Sequence, residues 1–112
     1  LGKENILDAT LGDYVEKQVS VLFSDIRDYT TLSEQMTPEE NFRFVNAFNS
    51  RLAPIIHQQN GFINQYLGDS IMAIFPKNAL DALKAAITMQ QTIQVFNIER
   101  KEKNRQPIKI GI

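Results

Sequence analysis

Phe62-Ile63-Asn64-Gln65-Tyr66-Leu67-Gly68-Asp69-Ser70-Ile71-Met72-Ala73-Ile74-Phe75 is the stretch that decides the fold. Two apolar runs, Phe62–Leu67 and Ser70–Phe75, flank Gly68-Asp69, which has the length and composition of a tight hairpin loop. Pro76 stops the second strand, because proline has no N–H to give to a ladder. The sheet is therefore at least partly antiparallel, and the elements on either side must be fitted around this hairpin.

Upstream, Val19-Ser20-Val21-Leu22-Phe23 predicts a short buried strand. A polar connection from Ser24 to Thr37 follows, with a short helix expected around Thr30–Met36. Thr37-Pro38-Glu39-Glu40 opens a long helix with an N-cap, a proline at the first position and a glutamate at the third, the pattern of a capping box. Phe42, Val45, Phe48, Leu52, Ile55 and Ile56 then recur at three- and four-residue steps as one apolar stripe. Asn60-Gly61, which tolerate a left-handed backbone, end that helix. Tyr29, Phe42, Phe44 and Phe48 are read as core rather than as a base-stacking platform. His57, near the helix end, complements the dipole there.

Downstream, Asn78 with Asp81 three residues later starts another helix, whose inner face is expected at Leu83, Ala86, Ile87, Gln90, Ile93 and Phe96. Glu99-Arg100-Lys101-Glu102-Lys103-Asn104-Arg105 is expected to be its solvated end. Pro107 breaks it, and a last strand is expected from Ile108 onward. The order is β-α-β-β-α-β, an α+β fold of the split βαβ (ferredoxin-like or palm-like) kind with both helices on one face. Residues 1–18, with Gly2 and Gly12 as breakers, read as a leading segment, and residues 19–112 as one domain.

The chain has 112 residues, a formal net charge of −1 and no cysteine. Its size supports one core, and its charge gives no reason to expect nucleic acid as a partner. Without cysteine, disulfide frameworks and thiolate metal sites are excluded, which fits a reducing, cytoplasmic setting. No apolar run approaches the roughly 20 residues of a membrane span. The first residue is not Met and the last residues are apolar, so the sequence is read as a piece of something longer.

Asp25 and Asp69 carry the chemistry. One follows the first strand and the other sits in the hairpin loop, and split βαβ topology puts that strand beside the hairpin. Two carboxylates about 4 Å apart repel by roughly 4 kcal/mol at an effective dielectric of about 20. A cation or a shared proton is needed to offset that. Magnesium suits the pair, since it takes one or two carboxylates and completes its shell with water and phosphate oxygens. The strand-to-helix turn after Asp25 offers backbone N–H groups to a polyphosphate without a glycine-rich loop, from Ile26 to Thr31. The bland alternative is that each aspartate only caps a helix or serves a turn.

Phe23-Ser24-Asp25-Ile26-Arg27, closed by Thr30, resembles the first metal motif of the class III nucleotide cyclases. Gly61-Phe62-Ile63 through Tyr66-Leu67-Gly68-Asp69-Ser70-Ile71-Met72-Ala73-Ile74-Phe75 resembles their second. The resemblance also takes in Leu11-Gly12-Asp13 and Thr37-Pro38-Glu39-Glu40, and is strongest to bacterial sensor-coupled adenylate cyclases. It implies cyclisation of a nucleoside triphosphate, with two Mg2+ or Mn2+ ions on Asp25, Asp69 and the Ile26 carbonyl. It further implies phosphate binding by Ile26, Arg27, Asp28, Tyr29 and Thr30, and nucleotide contacts from Gln65, Leu67 and Gly68. A homodimer and an upstream sensor module in the parent chain complete the picture.

Three departures from the family pattern stand out. The base-reading position, four residues before Asp69, is Gln65 instead of the lysine or glutamate of adenylate or guanylate cyclases. Glutamine both donates and accepts, so ATP and GTP stay open, with ATP the default. Asp28 stands where a small residue is usual, and is expected to face solvent. The family's second base-reading residue, and its ribose-orienting and transition-state asparagine and arginine, fall beyond Ile112, so the chain is taken to be truncated before the C-terminal half of the cyclase fold. It carries the metal half of the site and is expected to be inactive alone. A catalytically silent cyclase-homology domain is the alternative. A receiver domain is contradicted by the hairpin, and a diguanylate cyclase by Leu67-Gly68-Asp69-Ser70.

Overall fold

The computed structural model describes residues 17–112. Six of its elements form the expected frame: β1 (Ser20–Ile26), α2 (Pro38–Gln58), β2 (Phe62–Leu67), β3 (Ser70–Phe75), α3 (Ala79–Glu102) and β4 (Ile110–Gly111). A single-turn helix, α1 (Tyr29–Glu34), fills the polar connection after β1. The sheet order is β2-β3-β1-β4, with every neighbouring pair antiparallel. This is the split βαβ arrangement: β3 enters between β2 and β1, the strands joined through α2. The leading segment anticipated over residues 1–18 lies, up to Glu16, outside the described residues. No helix among them is long and apolar enough to cross a membrane.

The hairpin forms with the predicted bounds, and Gly68 takes a left-handed backbone at φ 61°. One residue departs from regular pairing. The register slips between Ile63, opposite Ala73, and Gln65, opposite Met72, so Asn64 is the extra residue of a bulge. Through that slip Gln65 shares a face with Met72, and Tyr66 goes to the other side, opposite Ile71.

Both long helices start as the sequence predicts. Thr37 accepts a hydrogen bond from Glu40 N at 3.1 Å, and Glu40 returns one by accepting from Thr37 N at 3.1 Å. Asn78 caps α3 by accepting from Leu80 N. Asn60, at φ 63°, supplies the left-handed residue after α2. Gly61 is needed for a different reason, because a Cβ there would stand 2.5 Å from the Phe75 ring.

Leu22 and Ile26 of β1 and Ile71, Ala73 and Phe75 of β3 form the floor of the core, and Phe48, Leu52 and Ile56 of α2 and Met89 and Ile93 of α3 cover it. Phe44, Phe48 and Phe96 pack with ring centroids 6.2–6.4 Å apart. Arg51 lies over Phe96 and pairs with Glu99 at 2.7 Å, tying α2 to α3.

Two predicted helix faces need correction. Phe42 is 68% exposed while Phe44 is buried, and in α3 Leu83 and Ile87 are exposed while Ala85 and Met89 are fully buried. Residues two apart on a helix point to nearly opposite sides, and both helices carry apolar residues on each. Spacing alone fits either stripe. The far end of α3 also differs from a solvated tail. Arg100 is buried, donates from Nε to the Gln106 carbonyl at 2.6 Å, and lies near the Phe44 and Phe96 rings. Burial, and then the charge of Arg105, lower its pKa from the ordinary value. The final strand begins at Ile110, later than predicted. Ile108 is held instead by the Asn97 side chain, which accepts from its N–H at 2.7 Å and donates to its carbonyl at 2.8 Å.

Candidate functional site

The first strand runs further than its apolar pattern suggests. β1 continues through Ile26, because β4 pairs with its end, setting Asp25 opposite Gly111 and Ile26 opposite Ile110. Asp25 is thus a strand residue near the end of β1 and not the first residue after it. Its alternation matches Val21 and Phe23, on the face opposite the helices. The β1–β3 register ends at Ser24 opposite Ile71. One further step faces Asp25 towards Ser70, beside the Gly68-Asp69 loop. The strand that carries Asp25 lies beside the hairpin that carries Asp69, as the element order predicts.

Asp25 is unusual in its surroundings. Its Oδ1 has no exposed surface and no hydrogen-bond partner, although the side chain as a whole is 45% exposed. The Arg27 Nε stands 3.7 Å from it, which is an ion-pair distance but not a hydrogen bond. A covered carboxylate oxygen without a donor is costly unless something else supplies positive charge. Among the described residues no three His, Cys, Asp or Glu side chains cluster. Two carboxylates and the backbone could hold a magnesium-type ion, which keeps water and phosphate oxygens in its shell.

The turn after Asp25 has two parts. Asp28 adopts φ 55°, a left-handed conformation that favours glycine and that Asp tolerates better than most residues. Asp28 is exposed, as expected. The first-turn N–H groups of α1, from Tyr29 on, have no carbonyl four residues back within the helix. The Arg27 N–H differs, since it donates to the Lys109 carbonyl at 2.8 Å. Its backbone is spent on β4, which corrects the expectation that it offers a backbone donor, and only its guanidinium is free to reach a ligand. Tyr29 is half-buried, with its hydroxyl donating to Asn41 Oδ1 at 2.6 Å.

Gln65 and Leu67 are exposed on the same sheet face as Asp25, by the shifted register. Asn64 reaches the Met72 sulfur from the bulge. Two clefts flank this edge. One, of about 290 Å³, lies between the β1–α1 turn and the loop before β4, and Arg27, Asp28, Thr31 and Lys109 help line it. The other, of about 590 Å³, lies between α2 and the hairpin, with Phe42, Val45 and Tyr66 on its walls. Neither is lined by Asp25 or Asp69. The contributions of Lys109 and Gly111 had no sequence signal, because only strand pairing brings them beside Asp25.

A sequence profile of the adenylate and guanylate cyclase catalytic domain matches residues 13–112. The chain belongs to this family. It is 45% identical over 100 residues to an adenylate cyclase of Anabaena cylindrica, covering 88% of this chain and 19% of that protein. It is 38% identical over 102 residues to the terminal-differentiation-specific adenylate cyclase of Dictyostelium discoideum, covering 87% and 5%. Among solved structures, the cyclase fold here is similar to adenylyl cyclase CyaB from P. aeruginosa, with TM-score 0.77 and 26% identity over 86% of this chain and 55% of that one. Guanylyl cyclase Cya2 aligns with TM-score 0.73 and 28% identity, covering 83% and 50%. The cyclase chain thus spans at most a fifth of these curated relatives and about half of the solved chains. Its sheet, hairpin and helices match part of the cyclase catalytic domain.

Proposed function

We propose that this chain is part of a nucleotide cyclase that converts ATP to 3′,5′-cyclic AMP and pyrophosphate in intracellular signalling. The observation that carries the reading is Asp25 Oδ1, covered and without a donor, on the strand beside the hairpin that carries Asp69. Two divalent ions held by Asp25, Asp69 and the Ile26 carbonyl would lower the pKa of the ribose 3′-hydroxyl and offset charge on the β- and γ-phosphates. Asp25 and Asp69 fix where those charges gather. The first-turn N–H groups of Tyr29 and Thr30, with the Asp28 N–H, orient the triphosphate, and the Arg27 side chain adds a charge to it. Gln65, Leu67 and Gly68 line the path to the base along the bare face.

That the Anabaena cylindrica and Dictyostelium discoideum relatives are adenylate cyclases favours ATP. Gln65 supports a second reading, a guanylate cyclase, because an amide hydrogen-bonds either purine edge. The exposed apolar side chains of Val21, Phe23 and Phe62 on that face support association with a second copy. Because the chain covers about half of the solved cyclase chains, it is inactive alone under this proposal, and metal-dependent cyclic AMP formation from the 112 residues would overturn that point.

The test is metal-dependent turnover of ATP against GTP by the full-length cyclase, with Asp25→Ala and Asp69→Ala as controls. Both substitutions should remove cyclisation while leaving the fold intact. Retained turnover in either sinks the metal assignment.

A further inference from the structure

Arg27 sits where no sequence pattern predicts it. β1 and β4 put Asp25 opposite Gly111, while the Arg27 N–H binds the Lys109 carbonyl two residues along. From that anchor the Arg27 side chain lies back across β4, over Gly111. A Cβ at residue 111 would stand within 2.6 Å of three guanidinium atoms, so the absence of a side chain there makes the seat. Gly111 itself has no left-handed backbone, which leaves the close approach of Arg27 as its steric requirement. In the seat, Arg27 Nε stands 3.7 Å from the one oxygen of Asp25 that has neither solvent nor a donor. The distance is too long for a hydrogen bond and short enough for charge compensation.

We infer that Arg27, seated on Gly111, is a built-in counter-charge to Asp25 that competes with the divalent ion for this carboxylate. The inference rests on the metal reading of Asp25 given above. Arg27 makes way for an ion by moving its side chain. Arg27 is 61% exposed and free to swing, and an incoming polyphosphate provides a stronger anionic partner for it than one carboxylate. The arrangement weakens metal binding in the absence of nucleotide and relieves that weakening once triphosphate draws Arg27 off its seat. Arg27 is then a positioning residue acting through Asp25.

The test uses the full-length protein, Mn2+ as probe, electron paramagnetic resonance to count free ion, and low ionic strength without nucleotide. Arg27→Gln removes the charge and should tighten Mn2+ binding by about threefold to tenfold. Gly111→Ala keeps the charge but fills the seat, and should tighten it in the same direction by a smaller factor. The double variant should match Arg27→Gln alone, because both substitutions act through one side chain. Asp25→Asn should weaken binding in every background, and thermal melts confirm that each variant folds. Unchanged or weaker Mn2+ binding in Arg27→Gln overturns the inference while leaving the metal reading standing. Additive single effects in the double variant overturn the shared route through Arg27. Absence of Mn2+ binding by the unaltered protein, or binding indifferent to Asp25→Asn, defeats the metal reading and this inference with it.

Discussion

The two faces of one sheet are built from alternating residues of the same strands and have opposite fates. On the helix side, Leu22, Ile26, Ile71, Ala73 and Phe75 are at most 5% exposed, while on the other side Val21 is 45% and Phe23 58% exposed. The strand period of two separates them cleanly, and only the covered face can draw stability from burial. The bare face carries Asp25, Gln65 and Leu67 beside its apolar residues. A sheet that seals one side with helices and leaves the other uncovered puts neighbours in sequence into opposite environments. Ser24 is buried, and Asp25, the next residue, carries the candidate site.

The division can be broken by experiment. Phe48→Ala removes a ring that is 1% exposed and packed on two others, and should cost about 3–5 kcal/mol in urea or thermal unfolding. Phe23→Ala, on the bare face, should stay within about 0.5 kcal/mol. Comparable losses at the two positions would mean that both faces hold the fold.

The glycines beside the hairpin sharpen the same contrast at smaller scale. Gly61→Ala drives a Cβ into the Phe75 ring, itself locked in the core, and should cost about 1–3 kcal/mol. Gly68→Ala meets open space, so its cost, about 1–2 kcal/mol, comes from the left-handed backbone alone. Replacing Gly68 by Asn, which tolerates that conformation, should recover most of the loss, whereas Gly61→Asn should not recover. Exchanging Gln65 on the bare face tests function without stability: Gln65→Lys should shift turnover towards ATP and Gln65→Glu towards GTP, with melting temperatures unchanged. A melting shift with either would make Gln65 a structural residue.

The smallest effects come from the start of α2. Thr37→Ala should cost about 1 kcal/mol by removing the N-cap. Glu40 has its pKa lowered from the ordinary 4.5, first by the hydrogen bond from the Thr37 backbone and then by the Thr37 side chain. A carboxyl whose folded pKa is depressed contributes stability above its unfolded pKa and loses it as pH falls through the folded value. The capping box should therefore weaken on acidification below about pH 4.5, with a small dependence on pH that Thr37→Ala diminishes. An unaltered acid-side slope in that variant would remove Glu40 from the account.

The parts legible in the sequence are those written in local chemistry. Thr37-Pro38-Glu39-Glu40 encodes a helix start whichever way the helix later packs, and Gly68-Asp69 between two apolar runs encodes a hairpin. The two long helices hid their inner faces, because Phe42 and Phe44, or Leu83 and Ala85, satisfy the same spacing on opposite sides. The last strand was misplaced because Asn97, eleven residues upstream of Ile108, imitates a strand neighbour there. For the site, Asp25 and Asp69 could be singled out one by one from their motifs, but setting the strand of one beside the hairpin of the other needed the element order as well.

The sequence by itself determined the elements, their order and both aspartates, since capping, turn geometry and apolar periodicity act over a few residues. Tertiary structure alone decided which helix stripe turns inward, because that choice is made by the surface each helix meets. It also decided what surrounds Asp25. The pairing of β1 with β4 extends the strand, spends the Arg27 N–H on Lys109, and lays the guanidinium over Gly111 beside the carboxylate. Those partners lie more than eighty residues apart in the chain, and no local rule connects them.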